Sequence, residues 1–370
     1  MSIDRRYAKG VIIAAPASSS GKTLVTLGVL KTLSSRGMIV SSAKIGPDYI
    51  DTGYLSAAAG MECVNLDPWA MRQALIKELI KTSVKDSELI LCEGVMGLFD
   101  GSPTSQGSSA ELAMHTGWPI IFVVNAKGQG ASAAAVVNGF DLLCKKIRIA
   151  GVIFNNVNTS RHRMLINDAM EQYLPHIPVL GFIPKSDTLK IPSRHLGLTQ
   201  MVEQQEANLF LNSIAKFVEC HVDIDGIVSM AKIDTTDILK ENISRILPLG
   251  QRTAIAYDKA FSFIYQHILS GWRQLGAELK LFSPLNNESI PTDVDAIYLP
   301  GGYPELHIGD LLTGKRFIQD LRNAAQKGIN IYGECGGYML LGEALIDAHG
   351  RSHTMAGLLP VVTSFQERQL

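Results

Sequence analysis

The stretch that most constrains this chain is VIIAAPASSSGKTLVTLGVLKT at 11–32, where an apolar run meets small residues, then Gly21-Lys22-Thr23, then an amphipathic segment. It predicts a strand, a phosphate loop and a helix. Small loop residues let backbone N–H groups close around phosphate oxygens, Lys22 adds a cation, and Thr23 offers Mg²⁺ a hydroxyl at a helix N-terminus. Ser20, Gly21, Lys22 and Thr23 are therefore the candidate nucleotide-binding residues. The usual GxxxxGK[ST] spacing fails, because Pro16 stands where the first glycine belongs and Ala14, Ala15 and Ala17 supply only smallness. The competing reading is a helix start capped by Ser20, which needs no Lys-Thr pair.

Downstream, Ile39–Lys44 reads as a second strand leading into IGPDYIDTGY at 45–54. Asp48 and Asp51 lie on one face if the turn after Gly46-Pro47 is helical; they either cap that helix or serve a metal or substrate. Leu89–Cys92 ends at Glu93, and a carboxylate at the end of a parallel strand is a candidate Mg²⁺ ligand. Asp100 is either a turn residue or part of the same site. Pro119–Asn125, PIIFVVN, is continuously apolar, which suits a parallel sheet covered on both faces. A helix over 132–144, a strand at Ile149–Asn155 and a strand within 177–184 complete an α/β alternation over 1–185. Asn155 ends its strand, where its amide could read a base or shape a turn.

Charge excludes two partner classes. With Lys+Arg 34 against Asp+Glu 35, no basic field points to nucleic acid or to an anionic membrane. No apolar run reaches a membrane-spanning length, and MSIDRRYAKG does not lead into a signal-peptide core. Five scattered cysteines without CxxC spacing argue against a disulfide framework or a zinc site and for a reducing, cytoplasmic setting. Four of them, all but Cys335, are expected to pack as small hydrophobes.

PSRHLGL at 192–198 reads, on composition alone, as a solvated turn, and 199–250 as a connecting segment. A second α/β pattern then opens with strands at 253–257, 278–282, 296–299 and 328–332 and a helical stretch over 261–276. Its last strand enters GECGG at 333–337, an elbow that lifts a nucleophile from the sheet, with a helix start that lowers the thiol pKa. Cys335 is the candidate nucleophile, and Gly301-Gly302 could offer N–H groups to an oxyanion.

Taken in order, APASSSGKT, KIGPDYIDTGY, NLDPWAM, EGVMGLFDGS, RHLGL, LPGGYPELH, ECGGYMLLGE and HTMAGLLP resemble the cobyrinate a,c-diamide synthase family. The resemblance spans nearly the whole chain. It implies a dethiobiotin-synthetase-like P-loop ATPase domain over 1–198 and, over 251–370, an incomplete class I glutamine amidotransferase-like α/β domain. It further implies ATP-dependent amidation of the a and c acetates of cobyrinate or hydrogenobyrinate through acyl phosphates, in cobalamin biosynthesis. ATP would sit at Lys22 and Thr23 with Mg²⁺ near Glu93, while Asp48 and Asp51 would orient metal, substrate or ammonia. Glutamine would release ammonia through a thioester on Cys335, with Gly301-Gly302 stabilising the oxyanion. A homodimer is compatible with this resemblance.

The pattern departs in two places. The family usually has glycine where Ser19 stands. The glutaminase half also needs a histidine base downstream of the cysteine, and past Cys335 this chain offers only His349 and His353. The expectation is thus a truncated second domain, with ammonia-dependent ligation kept and glutamine-dependent activity lost. Rival readings are a nickel-sirohydrochlorin a,c-diamide synthase, a cobyric acid synthase, a ParA/MinD-like ATPase switch and a non-catalytic remnant.

Overall fold

Continuous apolar runs need cover on both faces, and parallel pairing with helical crossovers supplies it. The computed structural model describes residues 9–84, 87–102, 106–189, 193–194, 197–198, 207–233, 245–313 and 316–366. Two units divide the chain, Met1–Ile243 and Ser244–Leu370.

In the first unit the elements alternate as β1 (Lys9–Ala14), α1 (Lys22–Ser35), β2 (Val40–Ile45), α2 (Ile50–Ala59), β3 (Val64–Leu66), α3 (Gln73–Val84) and β4 (Leu89–Glu93). They continue as α4 (Ser109–Thr116), β5 (Ile120–Asn125), α5 (Ser132–Leu143), β6 (Ile149–Asn155), α6 (Ser160–Tyr173) and β7 (Val179–Ile183). The spatial order is β3-β2-β4-β1-β5-β6-β7, and each of these neighbours is parallel. Val11, Ile12 and Ile13 of the central β1 are wholly buried. Register aligns Ile13 with Glu93, Glu93 with Lys44, and Ile45 with Leu66. All carboxyl ends therefore lie on one edge, where the loops after β1, β2, β3 and β4 meet; open α/β sheets bind ligands at that edge.

Ser193–Arg194 (β8) and Gly197–Leu198 (β9) pair antiparallel; the rest of PSRHLGL, His195 included, lies outside the described residues. The stretch expected to connect the domains carries α7 (Ala207–Glu219), α8 (Ile224–Met230) and β10 (Lys232–Ile233). These belong to the first unit: β10 pairs antiparallel with the start of β1, and α7 packs its buried Leu211, Ile214, Ala215 and Val218 face inward. Thr32 Oγ1 donates to the Ala215 carbonyl at 3.3 Å, joining α1 to α7. Of the four cysteines expected to pack, Cys63 and Cys92 are buried, but Cys144 is half-buried and Cys220 exposed. Both sit at helix ends, Cys144 closing α5 and Cys220 following α7, where the apolar face has run out.

The second unit contains β11 (Arg252–Ala256), α9 (Gln266–Gln274), β12 (Glu278–Phe282), β13 (Ala296–Leu299), a 3₁₀ turn (Pro304–Leu306), α10 (Ile308–Thr313) and α11 (Arg316–Gln326). After them come β14 (Asn330–Gly333), α12 (Gly336–Leu341), β15 (Ala344–Ile346), β16 (Ser352–Thr354) and β17 (Val362–Ser364). The main sheet is parallel, ordered β12-β11-β13-β14, and β16-β15-β17 form a separate small sheet. The helix expected from 261 begins only at Gln266, because Phe261 enters the core and Phe263 bridges to Gly301.

Gly28 marks where α1 and α7 touch: a Cβ there would lie 2.3 Å from Val218 Cγ2. Alanine would gain about 1 kcal/mol of helix propensity, but the overlap with a stiff β-branched side chain costs about 1–3 kcal/mol. Gly28→Ala should therefore lower the denaturant midpoint, and Gly28→Ala combined with Val218→Ala should lose less than the two single changes summed.

Candidate functional site

The phosphate loop is built by backbone that few residue types tolerate. Gly21 caps α1 at φ 104°, and a Cβ there would meet Asn155 Nδ2 at 2.3 Å. Ser19, where the family usually has glycine, adopts φ 61°, the left-handed conformation glycine would take freely. Ser20 does not cap the helix; its hydroxyl donates to the Ala17 carbonyl at 2.8 Å. Lys22 Nζ donates to the carbonyls of Met96 at 2.5 Å and Ala17 at 3.3 Å. Burial lowers the Lys22 pKa, with Glu93 acting in the opposite direction.

Thr23 Oγ1 donates to Glu93 Oε1 at 2.7 Å, so the end of β4 meets the first turn of α1. Lys44, which sequence reasoning missed, completes the cluster. Its buried ammonium lies 3.1 Å from Glu93 Oε1 and 2.5 Å from Asp51 Oδ2. Burial disfavours this charge, yet Glu93 and Asp51 together raise its pKa above the ordinary lysine value. Burial also raises the Glu93 carboxyl, against the pull of Lys44. A lysine in the buried strand VSSAKI was the available signal, since an ammonium inside a sheet demands a carboxylate.

Asp48 and Asp51 divide the two roles considered for them. Asp48 Oδ1 accepts from the N–H groups of Ile50 at 2.8 Å and Asp51 at 3.0 Å, capping α2, while Asp51 pairs with Lys44. Burial, reinforced by Asp51, raises the Asp48 pKa. Asn155 Nδ2 donates to the Ser20 carbonyl at 3.0 Å and its Oδ1 accepts from Asn156 N at 2.9 Å, so its amide braces the loop from β6. Asp100 Oδ2 accepts from Gly97 N at 2.8 Å, as a turn residue does.

A divalent cation fits beside Thr23. Glu93 Oε2 is buried with no hydrogen-bond partner among the described residues. A carboxylate oxygen so placed is costly unless something positive meets it. Carboxylate and hydroxyl oxygens are the hard donors Mg²⁺ prefers, and Mg²⁺ needs few of them when phosphate and water complete its shell. Among the described residues no cluster of three or more His, Cys, Asp or Glu could hold a metal.

In the second unit, Cys335 sits between β14 and α12 at φ 49°, ψ −116°, a strained position that lifts an exposed side chain from the sheet. Gly301 lies against it: a Cβ there would be 3.1 Å from Cys335 Cβ. Gly337 N donates to the Pro300 carbonyl and Glu334 N to Leu299, both at 3.1 Å, so β13 holds the elbow from one side. Gly302 follows on the same β13 turn. Helix α12 has only six residues. His353 Nε2 lies 3.0 Å from Asp347 Oδ2, and that contact, with Arg351, holds the Asp347 carboxyl well below its usual range. The downstream histidines are thus placed by the small sheet: His353 on β16, His349 in the turn before it.

Residues 11–198 match the CobQ/CobB/MinD/ParA nucleotide binding domain, and residues 252–370 the CobB/CobQ-like glutamine amidotransferase domain. The hydrogenobyrinate a,c-diamide synthase of Brucella anthropi is 48% identical over 363 residues, covering 98% of this chain and 83% of that protein. The Brucella suis protein of the same name is 46% identical over the same shares, and that of Rhizobium meliloti 43% identical over 97% and 83%.

Removing Lys44 would leave Glu93 and Asp51 facing each other uncompensated. Lys44→Met should therefore destabilise the chain by about 3–5 kcal/mol, the range for breaking a buried ion pair from one side. Urea denaturation at neutral pH checks this, with Lys44→Met/Glu93→Gln expected to recover part of the loss.

Proposed function

The chain belongs to the hydrogenobyrinate a,c-diamide synthase family, and from that premise we propose that it converts the a and c acetate carboxylates of hydrogenobyrinate to amides, using ATP and glutamine. The observation that carries this reading is the Thr23–Glu93 contact at 2.7 Å, with the second Glu93 oxygen buried and unpartnered beside a phosphate loop.

In this reading the loop amides and Lys22 bind the triphosphate. Thr23 and Glu93 would hold Mg²⁺, which when bound supplies charge neutralisation on the phosphates. One oxygen of the substrate carboxylate attacks the γ-phosphorus, the bond to the bridging oxygen breaks, and ADP leaves. Ammonia then attacks the acyl carbon, phosphate departs with the C–O bonding pair, and the nitrogen gives up a proton. Asp48, which caps α2 beside this centre, and Asp51 would orient the substrate or the incoming ammonia. Lys44 fixes Asp51 and Glu93 around the reacting groups.

Glutamine supplies the nitrogen at Cys335; this departs from the expectation that glutamine-dependent activity is lost, because residues 252–370 match a glutamine amidotransferase domain. The Cys335 thiolate attacks the carboxamide carbon of glutamine, the C–N bond breaks as the nitrogen takes a proton from water and leaves as ammonia, and the hydroxide so formed hydrolyses the γ-glutamyl thioester to glutamate and returns the thiolate. Gly301 and Gly302, on the turn beside it, are assigned to the oxyanion of the tetrahedral intermediate.

The two half-reactions separate by mutation. Cys335→Ser should abolish amide formation from glutamine and leave it intact with ammonium salts, whereas Glu93→Gln should lower both by about 10²-fold or more. Mass spectrometry of hydrogenobyrinate after turnover, counting acid-to-amide conversions, reads the outcome. Full glutamine-dependent amidation by Cys335→Ser would overturn the assignment of the thiol.

A further inference from the structure

The exposed indole of Trp69 has no part in the chemistry just described, and its setting is unusual. It is 67% exposed. Single exposed apolar side chains are common on protein surfaces, and what sets this ring apart is a rigid base at the carboxyl edge of the sheet. The buried Asp67 carboxylate accepts from Trp69 N at 2.9 Å and Ala70 N at 3.3 Å, and Met71 N donates to the Asp67 carbonyl at 2.8 Å. Behind it, Gly107 adopts φ 82° and approaches so closely that a Cβ there would lie 2.8 Å from Trp69 Cβ.

This turn follows β3 directly, at the carboxyl edge of the sheet, and is tied to the turn that carries Asp48. Gly46 N donates to the Leu66 carbonyl at 3.1 Å, while Asn65 Nδ2 donates to the carbonyls of Gly46 at 2.9 Å and Asp48 at 3.0 Å. On the same edge, three residues after Glu93, Met96 is also exposed, and its carbonyl accepts from Lys22 Nζ. The edge thus carries two exposed apolar side chains on hydrogen-bonded turns around a charged centre. That pairing suits a ligand that is flat and apolar in its body and carboxylated at its rim.

We propose that Trp69 is the stacking platform for the macrocycle of the substrate, positioning its acetate arms toward Glu93 and Lys22. This rests on the proposed amidation of a tetrapyrrole. Trp69 is a specificity and positioning residue; it moves no proton and touches no phosphate. Its substitution should therefore alter KM for the tetrapyrrole far more than kcat, and leave ATP affinity unchanged.

Two measurements on the full chain test the proposal. Trp69→Ala keeps the Cβ that packs over Gly107 and removes only the ring; it should raise KM for hydrogenobyrinate about tenfold or more, with Trp69→Phe recovering most of the loss. An unchanged KM in Trp69→Ala would overturn the platform while leaving the amidation standing. The second reads binding alone. Of the three tryptophans, Trp118 and Trp272 are buried, so iodide quenches chiefly Trp69. Hydrogenobyrinate without nucleotide should shield it, and a non-hydrolysable ATP analogue should not. Shielding by the nucleotide alone would assign the ring to adenine and defeat the proposal. Shielding by hydrogenobyrinate with no amide formed by the wild-type chain would support the platform and defeat the amidation reading instead.

Discussion

A single buried ammonium organises the first unit. Lys44 joins β2 to the end of β4 through Glu93 and to the first turn of α2 through Asp51, and Glu93 in turn receives the hydroxyl of Thr23 from α1. At separations of 2.5 to 3.1 Å each attraction is worth about 5–7 kcal/mol at an effective dielectric near 20. Desolvating three ions costs several kcal/mol apiece, and the two carboxylates repel each other. The terms nearly cancel, so the cluster adds little net stability. Its value is positional: four elements can meet at one point only if every member is present.

That point lies where it does because the sheet is parallel. Parallel register puts every carboxyl end on the same edge, so residues distant in sequence, Lys22, Lys44, Asp51 and Glu93, converge without any long-range loop. The phosphate loop tolerates its unusual sequence for a related reason. Ser19 in the left-handed region costs about 1–2 kcal/mol, but glycine there would cost about 0.5–1 kcal/mol in chain entropy. The difference is no larger than the hydrogen bond by which Asn155 braces the Ser20 carbonyl, worth about 0.5–1.5 kcal/mol. A departure from the family pattern therefore leaves the loop geometry available.

Much of this was legible in the sequence because strand signals and the site share one cause. Apolar runs ending in Glu93 or Asn155 mark strand ends, and in a parallel sheet strand ends are the site. What escaped reading had signals of another kind. Lys44 looks like an ordinary lysine until its strand is seen to be buried on both faces. Residues 207–233 lack the apolar density of a strand region, because α7 contributes only one helical stripe to α1 and β10 only two residues beside the start of β1. Trp69 lay inside the NLDPWAM block, yet a tryptophan on a turn signals core or ligand equally until its exposure is known.

The second unit reaches precision by a different route from the first. Among the described residues no buried charge holds Cys335; close backbone approach does. A Cβ on Gly337 would fall 2.0 Å from the Leu299 carbonyl oxygen, and one on Gly336 2.6 Å from Pro304. The helix after the elbow is thus pressed directly onto the turn that follows β13, and Cys335, at the junction, has no room to relax toward ordinary dihedrals. Strain of about 1–3 kcal/mol is sustained because relieving it would separate two packed backbones. Glycines fix the thiol here as Lys44 fixes the carboxylates in the first unit. In the proposed roles, a nucleophile needs exposure, which packing without charge permits, while a metal-binding carboxylate needs a dry setting that a buried counter-ion makes tolerable.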